Sequence, residues 1–452
     1  MVKLGPTRFA ITVEDNAAAY PVVIDPLTKQ WYYTASQSDE AFGFAVADPG
    51  NILGGGDYYG RIIVGAAQYD TGSLVDAGAV FAFYGSSDLP ATPSWTQFGD
   101  QAGGHLGYSV STAGDVDGDG YYDVIVGAAN YSSDGYTRNG RAYVFAGGPN
   151  GLASTPMWTG SGTQSYAMYG SAVVYVGNLI DSSYADFAVA SPTYYNTGNY
   201  DGLISVYKGS ASGPVFLQNL LGSDSSMLGF SLAAGDVNGD TYRDLIAGAP
   251  AGAYSSSPGA VIIYYGSSTG FGANTTTLAG EAAGDNFGFS VADVSDTDGD
   301  GIDDILVGDP YHTVSGKTYA GKAYLFLGHY PTVNTSPAWS VPGDQTEAQL
   351  GFSVAGGSVY EGVTGLVIGA PYYSSAGNTE NGEAWFYVAS GGTPTLDTIV
   401  VGTESYDLNG ASVAYLPLAL YRTPGIAVGA PYAHDQNGNL LGGIVTVWTY
   451  NP

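Results

Sequence analysis

The chain contains no cysteine, so neither a disulfide framework nor thiol chemistry is open to it. Basic residues are nearly as scarce: 11 lysines and arginines stand against 41 acids, for a formal charge of −30. Without a basic patch to neutralise phosphates, the balance argues against a nucleic-acid partner and against docking on an anionic membrane surface. No apolar run approaches the ~20 residues of a membrane-spanning helix, so no membrane insertion is expected. The opening MVKLGPTRFAITVEDN has no signal-peptide core. Because it enters a strand-like pattern at FAITV, it reads as a domain excised from a longer chain with an added methionine; a native start is the alternative. Helix formers are sparse. Glycine (69), tyrosine (38), serine, threonine and valine dominate instead, the composition of an all-β protein with many turns.

A length of 452 residues ordinarily means two or three domains, but this chain repeats itself. An apolar residue followed by glycine opens FGFAVA (42–47), LGYSVS (106–111), YGSAVV (169–174), LGFSLA (228–233), FGFSVA (287–292), LGFSVA (350–355) and a worn NGASVA (409–414). Each is followed by a second apolar run, such as VIVGAA (124–129), LIAGAP (245–250) or ILVGDP (305–310), and then by a third. These short runs, punctuated by glycine and lacking helical periodicity, are strands. A fourth strand is marked by Trp95, Trp158 and Trp339, each twelve residues before the glycine of the next copy. Trp31 keeps the same offset before Gly43, whereas the seventh copy stops after its third strand. The two incomplete ends complete each other if the array closes into a ring, which removes the exposed edges of an open one. The expectation is an all-β, seven-bladed β-propeller of four-stranded antiparallel blades over residues 28–452, closed by its N-terminal strand, with residues 1–27 as a lead-in segment.

Three of the copies carry an acidic loop between their first and second strands: DVDGDGYYD (115–123), DVNGDTYRD (236–244) and DTDGDGIDD (296–304). Like charges this close repel by roughly 4 kcal/mol per pair at an effective dielectric of 20. Oxygens at positions 1, 3, 5 and 9, a carbonyl at 7 and glycine at 6 suit a hard cation that takes six to eight oxygens. The expected calcium ligands are Asp115, Asp117, Asp119, Tyr121 and Asp123; Asp236, Asn238, Asp240, Tyr242 and Asp244; and Asp296, Asp298, Asp300, Ile302 and Asp304, with the tyrosines and the isoleucine offering carbonyls. Three Ca²⁺ ions are therefore expected in a structural role. The second site is expected to be weaker, because Thr241 replaces the glycine. An EF-hand is excluded, since position 12 is Val126, Ala247 or Val307 within a strand. A metal-free Asp/Gly turn is the plainer reading of one such loop, but three in register favour the ion. The remaining copies are internal controls whose loops are expected to hold no calcium: Arg61 takes position 9 in copy one and is expected to pair with Asp57; copy three offers Asn178, Ile180, Ser182 and Asp186; copies six and seven have Gly365 and Gly425.

The combined pattern of FG, D-x-D-x-D-G-x-x-D and GAP, seen at its fullest in LGFSLAAGDVNGDTYRDLIAGAP (228–250), resembles the FG-GAP repeats of the integrin α-subunit propeller and of bacterial surface proteins. The resemblance covers residues 28–452, and YPVVIDPLTKQWYY (20–33) is similar to the lead-in of such repeats in bacterial surface proteins. It implies calcium loops on a lower face, ligands on the opposite, upper face, an extracellular or cell-surface location in a bacterium, and a monomeric domain of a larger protein. The upper-face loops between second and third strands are rich in tyrosine, with Tyr131, Tyr136, Tyr194, Tyr195, Tyr311, Tyr372 and Tyr373. Such residues make adaptable recognition surfaces for a protein or glycan partner, or else pack between neighbouring loops. Catalysis is not expected. GSSTG (266–270) matches a nucleophile elbow formally but follows a third strand, as GSASG (209–213) does in copy three. His105, His312, His329 and His434 read as solvated loop residues. The sequence thus describes a calcium-stabilised binding or adhesion module, with a glycan-binding propeller or a structural spacer as alternatives and, behind these, a polysaccharide- or ester-acting enzyme.

Overall fold

The computed structural model describes residues 2–5, 8–10, 28–35, 37, 40–54, 60–85, 89–180, 183–196, 198–250, 257–360, 362–375, 377–420, 423–434 and 442–449. Seven four-stranded antiparallel sheets form the blades of a propeller. Blades 1 to 6 span residues 42–98, 106–161, 173–221, 232–279, 290–342 and 353–401. Blade 7 combines residues 412–449 with the N-terminal strand Thr28–Thr34, whose Trp31 pairs with Val447. The ring therefore closes as its Trp31 offset requires. Val2–Gly5 pairs with Arg8–Ala10, and residues 11–27 lie outside the described residues.

Burial follows each strand's place in its blade. The second strands Asp123–Ala128 and Asp244–Ala249 are buried throughout, because neighbouring sheets cover both faces. Fourth strands lie at the rim: Thr395–Val401 is exposed at five of its seven positions. The apolar clusters accordingly lie between blades. One joins Val445 and Val447 of blade 7 to Ile62, Val64 and Phe83 of blade 1 across the closure. The tryptophans bridge the same gaps. Trp31 packs edge-on to Phe83 with ring centroids 5.1 Å apart, and Trp95 repeats this against Phe145 at 5.1 Å.

The paired glycines of each repeat have one physical cause. The glycine that opens a blade holds φ near +90°, as in Gly351 at +90°, and turns its carbonyl against the preceding blade. A Cβ on Gly308 of blade 5's second strand would lie 1.9 Å from that carbonyl oxygen. Ser290 donates its hydroxyl to the same oxygen at 2.8 Å. Across the closure, Ser412 does this to Gly43 at 2.6 Å. The glycines are therefore the contact surface between blades, and this contact recurs at the closure.

Candidate functional site

The three acidic loops form alike. In the first, Asp115 accepts the amides of Gly118 (2.7 Å), Asp119 (3.0 Å) and Gly120 (2.8 Å), while the Tyr121 amide donates to Asp119 at 2.9 Å. Asp296 takes Gly299, Asp300 and Gly301 in the same way, and Asp236 takes Asp240 and Thr241. The Tyr242 and Ile302 amides donate to Asp240 and Asp300, each at 2.9 Å. Carboxylate oxygens of Asp115, Asp117 and Asp123 gather within 4.8 Å of one another, as do those of Asp296, Asp298 and Asp300. These all-oxygen sets fit a hard cation such as calcium. In the second loop, Asn238 donates to Asp240 at 3.1 Å. Thr241 sits at φ +78°, in the left-handed region that Gly120 and Gly301 occupy at +93° and +87°. The sequence anticipated that mismatch.

The ninth-position aspartates have a second role. Asp123 is fully buried and accepts the amides of Val116 and Gly147, each at 2.9 Å, stapling the loop to the end of the third strand. Asp244 and Asp304 make the same contacts with Val237 and Gly266, and with Thr297 and Gly328. Burial, with contributions from neighbouring carboxylates, pushes Asp123 and Asp244 up to about 7 and Asp304 to about 6. Asp186, in the copy expected to hold no calcium, staples Leu179 and Gly209 identically. The staple thus recurs in a copy whose positions 1, 3 and 5 are Asn178, Ile180 and Ser182 rather than acids, which the spacing alone did not reveal. Of the other controls, Arg61 pairs with Asp48 at 3.3 Å and reaches Asn51 at 3.3 Å; Asp57, its expected partner, and Ser182 lie outside the described residues. In blade 6 the two strands continue to Tyr360 and from Val363, so a tight hairpin replaces the loop.

At the opposite ends of the blades, all seven contribute to an apolar cavity of about 340 Å³, which therefore lies on the propeller axis. The residue after each opening glycine builds it: Phe44, Tyr108, Phe230, Phe289 and Phe352, with Ser171 and Ala411 in blades 3 and 7. Phe44 meets Tyr108 at 5.0 Å, and Phe289 meets Phe230 and Phe352 at 4.9 and 5.0 Å. Tyr372 lines the same cavity. Tyr311 packs against Phe289 and Tyr319, at 6.0 and 5.4 Å. The Arg141 guanidinium covers the ring of half-buried Tyr131 at 3.9 Å. Tyr194 and Tyr373 are also half-buried. Tyr136 and Tyr195 are 42% and 48% exposed, so these two are the most open of the seven. The aromatic cup was not anticipated; its signal is the aromatic that follows the FG glycine in five copies.

His312 departs from the solvated reading. It is largely buried beneath the loops of blade 5, with Nδ1 2.8 Å from Asp285 and 3.7 Å from Asp309. Burial, reinforced by Asp285 and Glu281, pushes Asp309 up to about 9. GSSTG (266–270) is the turn expected of it: Ser267 donates to the Gly270 carbonyl at 2.7 Å, and Ser210 repeats this with Gly213 at 2.6 Å.

The FG-GAP repeat model matches residues 106–145, 228–264 and 287–326, the three blades that carry the acidic loops. The chain is similar to human phosphatidylinositol-glycan-specific phospholipase D, 29% identical over 305 residues that make up 59% of this chain and 35% of that protein. It is also similar to mouse integrin alpha-IIb, 36% identical over 162 residues, 33% of this chain and 15% of that one. Integrin alpha-PS2 of Drosophila melanogaster is 32% identical over 169 residues, 33% of this chain and 12% of that one. The chain thus spans about a third or less of the length of these relatives.

Proposed function

We propose that this seven-bladed propeller with FG-GAP repeats is a calcium-stabilised binding or adhesion module of the cell exterior. Its upper face receives a protein or glycan partner, and its acidic loops hold calcium at the opposite ends of the blades. The axial cup carries this reading: five aromatic rings converge on an apolar cavity of about 340 Å³ that the fold leaves unfilled, and apolar concavities with a few polar neighbours are where ligands bind. Each aromatic face accepts an apolar side chain, a sugar ring or a cation. Tyr372 lines the cup and Tyr311 packs against its Phe289, while the exposed Tyr136 and Tyr195 offer further polar contacts on the loops between second and third strands. The calcium assignment is supported by the converging carboxylate oxygens of the first and third loops. Binding rather than catalysis is the proposed role; the phospholipase D named above matches over 35% of its length.

The test is a cell-surface pull-down and a glycan array, run with the wild type and with Phe352→Ala/Tyr372→Ser, in calcium and in chelator. The reading expects a partner that is retained in calcium, weakened at least tenfold by the double substitution, and lost with chelator as the blades loosen. A partner held equally by the double variant would remove the cup from the function. A melting temperature unmoved by chelator at low salt would remove the calcium.

A further inference from the structure

We propose that Asp285, Asp309 and His312 form a metal site of a different kind on the upper face of blade 5, taking a divalent cation of the zinc type.

One residue of this group stands out against its repeats. Asp309 replaces the alanine found at the same place in five other blades, Ala66, Ala128, Ala249, Ala370 and Ala430. It is fully buried, and neither carboxylate oxygen has a hydrogen-bond partner. Burying a carboxylate without partners is strongly unfavourable unless a cation offsets it. Two groups converge on it from adjacent loops: Asp285 precedes the first strand of blade 5, and His312 follows the second. One ligand atom from each of the three lies within 4.8 Å of the others.

The geometry favours zinc over calcium. A tetrahedral ion at about 2.0–2.1 Å from its ligands separates donors by roughly 3.3 Å. His312 Nδ1 stands 2.8 Å from one aspartate and 3.7 Å from the other, on either side of that value. An imidazole with two carboxylates suits zinc, whereas calcium takes six to eight oxygens. The surroundings also fit. With Nδ1 turned to the aspartates, Nε2 faces Glu281 at 3.7 Å, and Lys322 holds Glu281 at 2.7 Å. A carboxylate behind a metal-binding histidine fixes its tautomer and strengthens it as a ligand. Two aspartates balance the charge of the ion, and three protein ligands leave a fourth position for water, as in zinc sites that are not purely structural.

The full chain is titrated with zinc by calorimetry and by competition with a chromophoric chelator, in millimolar calcium to fill the acidic loops. One equivalent is expected to bind. Asp309→Ala, which restores the alanine of the other blades, weakens binding at least a hundredfold, and His312→Gln at least tenfold. X-ray absorption of the wild type shows one imidazole among nitrogen and oxygen donors. Calcium-dependent melting of both variants verifies their fold. The proposal is overturned if the wild type binds no zinc in calcium, which leaves Asp309 as a buried neutral acid. It is equally overturned if both folded variants bind zinc as the wild type does, which places the ion elsewhere.

Discussion

Replacing Gly308 by alanine tests the contact that holds the ring together. The new Cβ would lie 1.9 Å from the Gly351 carbonyl oxygen and 2.3 Å from the Ser290 hydroxyl. Close carbon–oxygen contacts in folded chains settle at roughly 3.3 Å, so the next blade must retreat by about 1.4 Å at this point. Overpacking of this kind costs ~1–3 kcal/mol. The retreat also breaks the 2.8 Å hydrogen bond from Ser290 to Gly351, worth ~1 kcal/mol. The total is ~2–4 kcal/mol. If the 452 residues unfold as one unit, an unfolding entropy of about 2.1 cal/mol/K per residue converts this to a fall in Tm of ~2–4 °C; a smaller cooperative unit would show a larger fall. Urea unfolding and thermal melting in saturating calcium give both numbers. Gly392→Ala is the control, because nothing lies within 4 Å of the Cβ position there. If Gly308→Ala matched Gly392→Ala to within about 0.5 kcal/mol, the account of the paired glycines as a steric contact would fail.

Three other outcomes are expected. Thr241→Gly relieves a β-branched residue held at φ +78° and stabilises the protein by ~1 kcal/mol in urea melts, with tighter calcium binding in the second loop; an unchanged or lower midpoint counts against it. Asp186→Ala, which removes the staple from the copy with Asn178, Ile180 and Ser182 at positions 1, 3 and 5, is expected to cost ~2–4 kcal/mol equally with and without chelator, whereas Asp123→Ala also reduces the chelator-induced fall in Tm; equal behaviour of the two would contradict the division of roles. Glu383 is buried, and burial raises its carboxyl from 4.5 to about 7. Its folded value exceeds its unfolded one, so its contribution is intact below about pH 4.5 and falls away as pH rises to 7, by ~3 kcal/mol. Glu383→Gln is therefore expected to stabilise at pH 8 and to be neutral at pH 4; a constant difference across that range would refute the assignment.

What could be read from the sequence had fixed offsets. Trp31 lies as far from Gly43 as Trp95 does from Gly107, and the strand pairing of Trp31 with Val447 follows from that one interval. The acidic loops were legible for the same reason: nine consecutive residues determine a turn, and Asp115 needs only Gly118, Asp119 and Gly120 to close it. Contacts between loops were not legible. Asp285 and His312 are separated by 27 positions and meet only because one loop enters blade 5 and another leaves its second strand. Arg61 meets Asp48, which directly follows the first strand of its blade, a pairing that the nine-residue loop pattern does not mark. The cup was hidden because Phe44, Phe289 and their counterparts read as ordinary strand residues until the ring turns them toward one axis.

Blade 5 joins the two faces most directly. Its second strand, Ile305–Asp309, begins one residue after Asp304 of the lower loop and ends at Asp309 of the upper cluster. Five residues at about 3.3 Å each place these buried carboxylates ~16 Å apart. Two unit charges at that distance interact by ~0.3 kcal/mol in water and ~1 kcal/mol at a dielectric of 20, and physiological salt screens this further, since the separation is about twice the Debye length. The strand therefore connects the two sites mechanically but separates them electrostatically. Calcium in the lower loop and zinc in the upper cluster should add their stabilisation, with Asp304→Asn leaving the zinc affinity within about threefold of the wild type. A larger effect would mean that the strand shifts as a unit when either end is filled, which would make the calcium face a regulator of the binding face.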